Sequence, residues 1–133
     1  MLAKAVAKLV TLNIRCTNLT HQQTVAILTV VSEGSKLIEL DISCNDLSGL
    51  DPGLLARAVT KLETLEVIGT KLTQQQAVAI LTYVSEGSKL TKLDISWDNL
   101  SGVDPGLLRR AVQRLKNIII SEGPKHVSSI PLL

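Results

Sequence analysis

Apolar residues recur along this chain in the pattern Leu-x-x-Leu-x-(Ile/Val)-x-x-x-x-Leu, with copies beginning at Leu9, Leu37, Leu62 and Leu90. The fourth and sixth positions of each copy are apolar and alternate with mostly polar neighbours, which is the two-residue period of a short β-strand. A partial fifth copy begins at Leu115. The pattern predicts strands whose inward side chains stack from copy to copy: Leu12 and Ile14, Leu40 and Ile42, Leu65 and Val67, and Leu93 and Ile95.

The segments between the strands have helical periodicity. In THQQTVAILTVVSEG and TQQQAVAILTYVSEG the apolar residues recur at the spacing of one helix face. Thr20 with Gln23 and Thr73 with Gln76 have capping-box spacing, which predicts where these helices begin. The two shorter segments begin Asp-Pro-Gly, and an aspartate before proline is a favourable helix start. We therefore expect a helix after each of the four strands.

The chain contains an internal duplication. LDISCNDLSG at residues 40–49 returns as LDISWDNLSG at residues 93–102, and the offset from Leu9 to Leu62 relates the two copies. Repeat units begin at 9, 37, 62, 90 and 115, at alternating spacings of about 28 and 25 residues, which indicates a repeat array. We assign residues 1–120 to one repeat domain. Residues 121–133 contain Pro124 and Pro131, and we expect an irregular C-terminal tail there.

The repeated pattern resembles that of leucine-rich repeat proteins, and the long helical segments resemble the ribonuclease-inhibitor-like subclass, which also supplies the repeats of NOD-like receptors. The resemblance implies an α/β right-handed solenoid, a short horseshoe with parallel strands on the concave side and helices on the convex side. It also implies a non-catalytic protein-interaction or ligand-recognition module in innate immune sensing, or alternatively an enzyme inhibitor of the ribonuclease-inhibitor type. One departure is the ninth position, where asparagine occurs only as Asn45 and is replaced by Thr17, Thr70 and Asp98.

Composition narrows the functional classes. A hydrophobic content of 45% in 133 residues excludes a wholly disordered chain, and a net charge of +2 does not by itself indicate a nucleic-acid or membrane partner. We find no signal-peptide pattern and no run of transmembrane length, so we expect a cytoplasmic protein. The sequence begins and ends within the repeat pattern, which predicts a longer parent chain or self-association through uncapped ends.

Catalytic chemistry has little support in the sequence. His21 and His126 have no nucleophile beside them in any known signature, and we find no glycine-rich phosphate loop, so we expect no enzyme activity and no cofactor. Cys16 and Cys44 occupy the same position in adjacent units, but two thiols make only half of an ordinary zinc site, so we expect no metal. Two glycosylation sequons begin at Asn18 and Asn99, where the repeat itself requires the leucine and the capping residue.

A protein partner bound on the strand side is the favoured interpretation. Asn13, Asp41, Glu66 and Asp94 are predicted to form one acidic row across four strands, and Trp97 is the single tryptophan of the chain. A lone tryptophan beside a strand is a candidate binding anchor, although it can equally cover the neighbouring unit. The candidate binding residues are Asp41, Ser43, Cys44, Glu66, Lys92, Asp94, Ser96 and Trp97.

An alternative surface lies on the predicted helices. Pairs of basic residues four apart recur in every second unit, and such pairs share one helix face. This basic face favours nucleic acid or another anionic surface, yet it lacks the interleaved aromatic residues that stack on bases, and a plain solvated face remains open. Its residues are Lys4, Lys8, Arg57, Lys61, Arg110 and Arg114.

Overall fold

The computed structural model describes residues 8–87, 89–95, 100, 102–115, 117–121 and 127–129. Strands and helices alternate along most of the chain. In order, the elements are β1 (Thr11–Asn13), α1 (His21–Ser32), β2 (Glu39–Asp41), α2 (Pro52–Val59), β3 (Thr64–Glu66), α3 (Gln74–Ser85), β4 (Lys92–Asp94), α4 (Pro105–Arg114), β5 (Asn117–Ser121) and β6 (Val127–Ser129).

The strands form one sheet in sequence order, and β1 to β5 are parallel. Leu12, Leu40, Leu65 and Leu93 are paired across the first four strands, so the same position of each repeat stacks in register. Parallel neighbours need a crossover connection, and α1 to α4 supply it. The predicted α/β architecture with parallel strands is confirmed.

The last strand differs from the others. β6 pairs antiparallel with β5, and Ile120 lies opposite Ser128. β6 falls in the segment for which we expected only irregular structure, and the proline-based expectation did not include this strand. Only five residues separate β5 from β6, fewer than the dozen or so that a parallel connection needs, so the two strands pair antiparallel. Pro124 and Pro131 themselves lie outside the described residues.

The helix starts follow the capping residues predicted from the sequence. Thr20 accepts a hydrogen bond from the Gln23 backbone N–H at 3.1 Å, and Gln23 Oε1 accepts from the Thr20 N–H at 2.9 Å. Thr73 and Gln76 form the same capping box. Asp51 and Asp104 also cap their helices, and a proline follows each of them.

The core lies between the sheet and the row of helices. Consecutive helices pack against each other, from α1 with α2 to α3 with α4. The buried cluster combines strand leucines with helix residues such as Ile27 and Ile80, and each fully buried side chain of this size contributes about 1.5–3 kcal/mol. The first unit is less covered than the rest, because Leu9 and Val10 are exposed and Leu12 is only partly buried.

Candidate functional site

Two rows of side chains cross the face of the sheet that points away from the core. Side chains two residues apart on a strand share a face, so the residues on either side of the buried leucines all point outward. One row contains Thr11, Glu39, Thr64 and Lys92, and the other contains Asn13, Asp41, Glu66 and Asp94. The predicted alignment of the acidic row is confirmed by the strand register.

Asp41 is the most buried carboxylate of the acidic row, with 8% of its surface exposed. Its Oδ1 accepts the Ser43 backbone N–H at 3.0 Å, and its Oδ2 lies 3.4 Å from Arg15 Nη1. A buried charge needs such partners, and here one dipole and one cation compensate it. Asp41 also raises the pKa of the Arg15 guanidinium. Arg15 is thereby held over the acidic row.

Glu66 is the second carboxylate in the middle of the row. Lys92 Nζ lies 3.9 Å from its Oε1, in a partly exposed ion pair. Partial burial, followed by the negative charge of Asp41, raises the pKa of Glu66, whereas Lys92 opposes the shift. The neutral form of Glu66 is therefore favoured more than in a free glutamate. A cationic group placed between the two carboxylates would relieve this repulsion.

A shallow depression of about 140 Å³ lies on the first three strands. Glu39, Asp41 and Glu66 contribute charge to its wall, while threonine and asparagine side chains supply neutral hydrogen-bonding groups. A depression of this size accommodates a side chain, not a whole small-molecule ligand, because ligand pockets usually exceed about 300 Å³. The arrangement suits one anchoring residue of a larger partner.

The remaining candidate binding residues differ in how exposed they are. Ser43 is fully buried, and its hydroxyl oxygen accepts the Ile68 backbone N–H at 2.9 Å. The expectation that Ser43 faces a partner is therefore wrong, because its hydroxyl is buried against the turn of the next unit. Cys44 is exposed and Asp94 is half-buried. Ser96 and Trp97 lie outside the described residues.

The turns after the strands adopt a left-handed backbone. Cys16, Cys44 and Gly69 occupy equivalent positions, with φ values of 54°, 61° and 62°. Only glycine adopts this conformation without steric cost, so the two cysteines are held there by the surrounding turn. The sequence contained a signal for this geometry, because a glycine stands at the same place in the third unit.

Asn45 joins the first two turns. Its Nδ2 donates to Ile14 O and Ile42 O, both at 3.1 Å, and to Ser43 O at 3.2 Å. Its Oδ1 accepts the Leu19 backbone N–H at 3.0 Å. An asparagine at the ninth position therefore satisfies backbone groups of two successive units. The threonine that replaces it at position 17 donates to Ile14 O at 2.7 Å, within its own turn.

Residues 36–58 match the Leucine Rich Repeat family model. Over this stretch the chain is similar to a leucine-rich repeat. The matched stretch runs from just before β2 to the end of α2 and includes Asn45, the one asparagine at the ninth position. No curated protein and no solved structure matches the chain. Leucine-rich repeat domains generally mediate interactions with proteins or other ligands and are typically non-catalytic.

The basic residues predicted to share one helical surface lie on separate parts of the fold. Arg57 is on α2 and Arg110 on α4, and both are exposed. α3 packs against both of these helices and presents exposed neutral side chains, including Gln75 and Tyr83. Lys8, Lys61 and Arg114 are exposed as well, whereas Lys4 lies outside the described residues. The described basic residues therefore form separated clusters with α3 between them.

The described region was also searched for metal-binding groups and for membrane-spanning helices. In that region, we find no group of three or more His, Cys, Asp and Glu side chains that could hold a metal ion. Nor does any helix within it have the length and apolar character needed to cross a membrane.

Proposed function

We propose that this chain is a non-catalytic recognition module that binds a protein partner through the outer face of β1 to β4. The observation that carries the proposal is the in-register row of Asn13, Asp41, Glu66 and Asp94. Carboxylates held side by side on a rigid sheet are preorganised to meet a partner, because their backbone positions do not need to be fixed on binding. The leucine-rich repeat match supports the same class of function.

The chemistry of the row indicates the kind of partner. Glu66 and Asp41 repel each other, so a lysine or arginine side chain of a partner would gain more between them than beside an isolated carboxylate. Arg15 and Lys92 flank the row and provide complementary contacts for acidic or polar groups of the same partner. We therefore infer a partner surface with a central basic residue.

The charges alone give limited affinity. An exposed ion pair contributes about 0.2–1 kcal/mol, so binding also needs an apolar anchor. Trp97 is our candidate for that anchor, and Ser96 and Cys44 complete the proposed surface. Together with Asp41, Glu66, Lys92 and Asp94, these are the residues that we assign to recognition.

We extend the proposal to architecture and setting. The long helical segments of the repeat units resemble those of the ribonuclease-inhibitor-like subclass. This resemblance supports a right-handed solenoid in which the sheet is the concave side. By the same resemblance we propose a cytoplasmic protein with a role in innate immune sensing. The inhibitor alternative has weaker support, because the described strands carry only a narrow acidic row.

The test compares two pairs of charge-neutralising substitutions. Glu66→Gln with Asp94→Asn removes charge from the sheet face, and Arg57→Gln with Arg110→Gln removes charge from the helices without changing side-chain size greatly. A partner captured with the wild-type chain is titrated against all three proteins, each first shown to be folded by circular dichroism. We expect the sheet variant to bind about 5- to 30-fold more weakly, since two pairs together contribute about 1–2 kcal/mol.

The helix variant serves as the matched control. We expect it to bind within about twofold of the wild type, and we expect wild-type affinity to fall moderately as salt rises. If the helix variant alone loses binding, or the captured ligand is nucleic acid with a steep salt dependence, the sheet-face proposal is wrong and the basic helical clusters are the working surface.

A further inference from the structure

Cys16 and Cys44 lie side by side in the turns that follow β1 and β2. Asn13 pairs with Asp41 in the parallel register. Cys16 stands three residues after Asn13, and Cys44 stands three residues after Asp41. The backbone N–H of Cys16 donates to Ser43 O at 2.9 Å, so the parallel register continues into the turn. Both cysteines are free and exposed.

The two thiols also influence each other. The side chain of Cys44, chiefly through hydrogen bonding, raises the pKa of Cys16, which agrees with the placement of the two residues in neighbouring turns. The similar φ values of 54° and 61° give the two Cβ atoms matching orientations relative to their strands. Adjacent strands are about 4.8 Å apart, and disulfides span Cα separations of roughly 4.4–6.8 Å, so the spacing of the two turns falls within the range that a disulfide bridges.

We propose that Cys16 and Cys44 form a reversible intrachain disulfide, a redox-modification site that ties the turn after β1 to the turn after β2. β1 is the strand at one end of the sheet order and has β2 as its neighbour there. Its unit also has two exposed apolar residues, Leu9 and Val10. A covalent link at this place therefore acts on an end of the sheet whose apolar residues are incompletely covered.

The reaction needs a small disulfide such as glutathione disulfide as the oxidant. One cysteine thiolate attacks a sulfur of the small disulfide, forms a mixed disulfide and releases one small thiolate. The second cysteine thiolate then attacks the protein sulfur of that mixed disulfide and releases the second small thiolate. Both cysteine sulfurs are oxidised, the small disulfide is reduced to two thiols, and these take up the two protons lost by the cysteines.

The experiment equilibrates the full chain with glutathione buffers that range from reducing to oxidising. Free thiols are then trapped by alkylation, and intact mass and peptide mapping identify the products. Cys16→Ser and Cys44→Ser are the matched controls. Each variant keeps one of the two thiols and replaces the other with a serine hydroxyl of similar size, so no intrachain disulfide can form. Both cysteines are exposed, and circular dichroism verifies that the variants fold.

We expect the wild-type monomer to lose both alkylatable thiols together, with a peptide crosslinked between positions 16 and 44. Each single variant should instead carry one glutathione adduct. Oxidation should also slow hydrogen exchange at the Ile14 and Cys16 amides at least several-fold, because these N–H groups bond to Asp41 O and Ser43 O across the two units. Two independent glutathione adducts on the wild type, an intermolecular dimer, or unchanged exchange after crosslinking would each overturn the proposal.

Discussion

The two copies of the duplicated unit contain the same capping box in different surroundings. Gln23 lies in the first turn of α1 and Gln76 in the first turn of α3, and each pairs reciprocally with its threonine at the same distances, 2.9 and 3.1 Å. Gln23 is exposed, whereas Gln76 is 1% exposed. The Nε2 of Gln76 also donates to Leu47 O at 2.7 Å and to Leu50 O at 2.9 Å.

The difference arises from the neighbouring unit, not from the local sequence. Leu47 and Leu50 lie in the turn that precedes α2, and α2 packs against α3. In a repeat protein each unit is stabilised mainly by its neighbours, so identical residues contribute different free energies according to what lies beside them.

The largest expected effect concerns the bridge between the first two turns. Asn45→Ala removes hydrogen bonds to backbone groups of two units and takes the Asn45 partner from Ile42 O and from the Leu19 N–H. We expect the free energy of unfolding to fall by about 3 kcal/mol, because each unsatisfied buried polar group costs about 1–3 kcal/mol. Urea denaturation followed by circular dichroism measures the change.

Thr17→Ala is the control for Asn45→Ala. Thr17 occupies the same position of the first unit, is exposed, and donates to Ile14 O within its own turn. Its removal should lower the free energy of unfolding by less than about 1 kcal/mol. Equal losses for the two variants would contradict the conclusion that Asn45 stabilises the contact between units.

The next effect tests the comparison of the two glutamines directly. Gln76→Ala removes the capping box and both inter-unit hydrogen bonds, and we expect a loss of about 2–3 kcal/mol in the free energy of unfolding. Gln23→Ala removes only the capping interaction at an exposed site, and a loss of about 0.5–1 kcal/mol should follow. Two variants that are equally destabilised would show that the local cap, not the neighbouring unit, determines the contribution.

Much of the fold could be predicted because the repeat encodes it locally. Period-two leucines, the threonine and aspartate caps and the fixed spacing together placed the strands, the helix starts and the acidic row. Ser43 could not be placed in this way, because its burial depends on the Ile68 N–H of the next unit. The inter-unit role of Gln76 was missed for the same reason: the sequence shows which residues repeat, but not which carbonyls they meet.

The candidate site was predicted less completely than the fold. The outward row followed from strand alternation, yet the capture of Arg15 by Asp41 depends on side-chain geometry that alternation does not contain. The basic residues at positions 57, 61, 110 and 114 are exposed, but Lys61 lies beyond the end of α2, and α3 lies between the two pairs. Helix-face spacing describes one helix at a time and does not indicate what lies between two of them.

The smallest expected effect is on the pH dependence of the free energy of unfolding, and it comes from one position of the acidic row at which the two copies differ. The second copy has Glu66 where the first has Asn13. Partial burial and the charge of Asp41 raise the pKa of Glu66 above that of a free glutamate, so folding favours its protonated form. The stabilisation from protonated Glu66 is complete below the pKa of the unfolded state and is lost as pH rises through the higher folded-state pKa.

Glu66→Gln keeps the shape of the protonated side chain at every pH. We expect it to match the wild type in stability below about pH 4, where free glutamate is protonated. At neutral pH it should be more stable than the wild type, by no more than about 0.5 kcal/mol because the site is partly exposed and solvent screens the charges. Urea denaturation across this pH range measures the difference, and Asn13→Gln, which adds no titrating group, should show no such trend. A Glu66→Gln variant that is less stable at neutral pH would mean that the ion pair with Lys92 outweighs the repulsion from Asp41, and the inferred preference for a cationic partner group would then lose its basis.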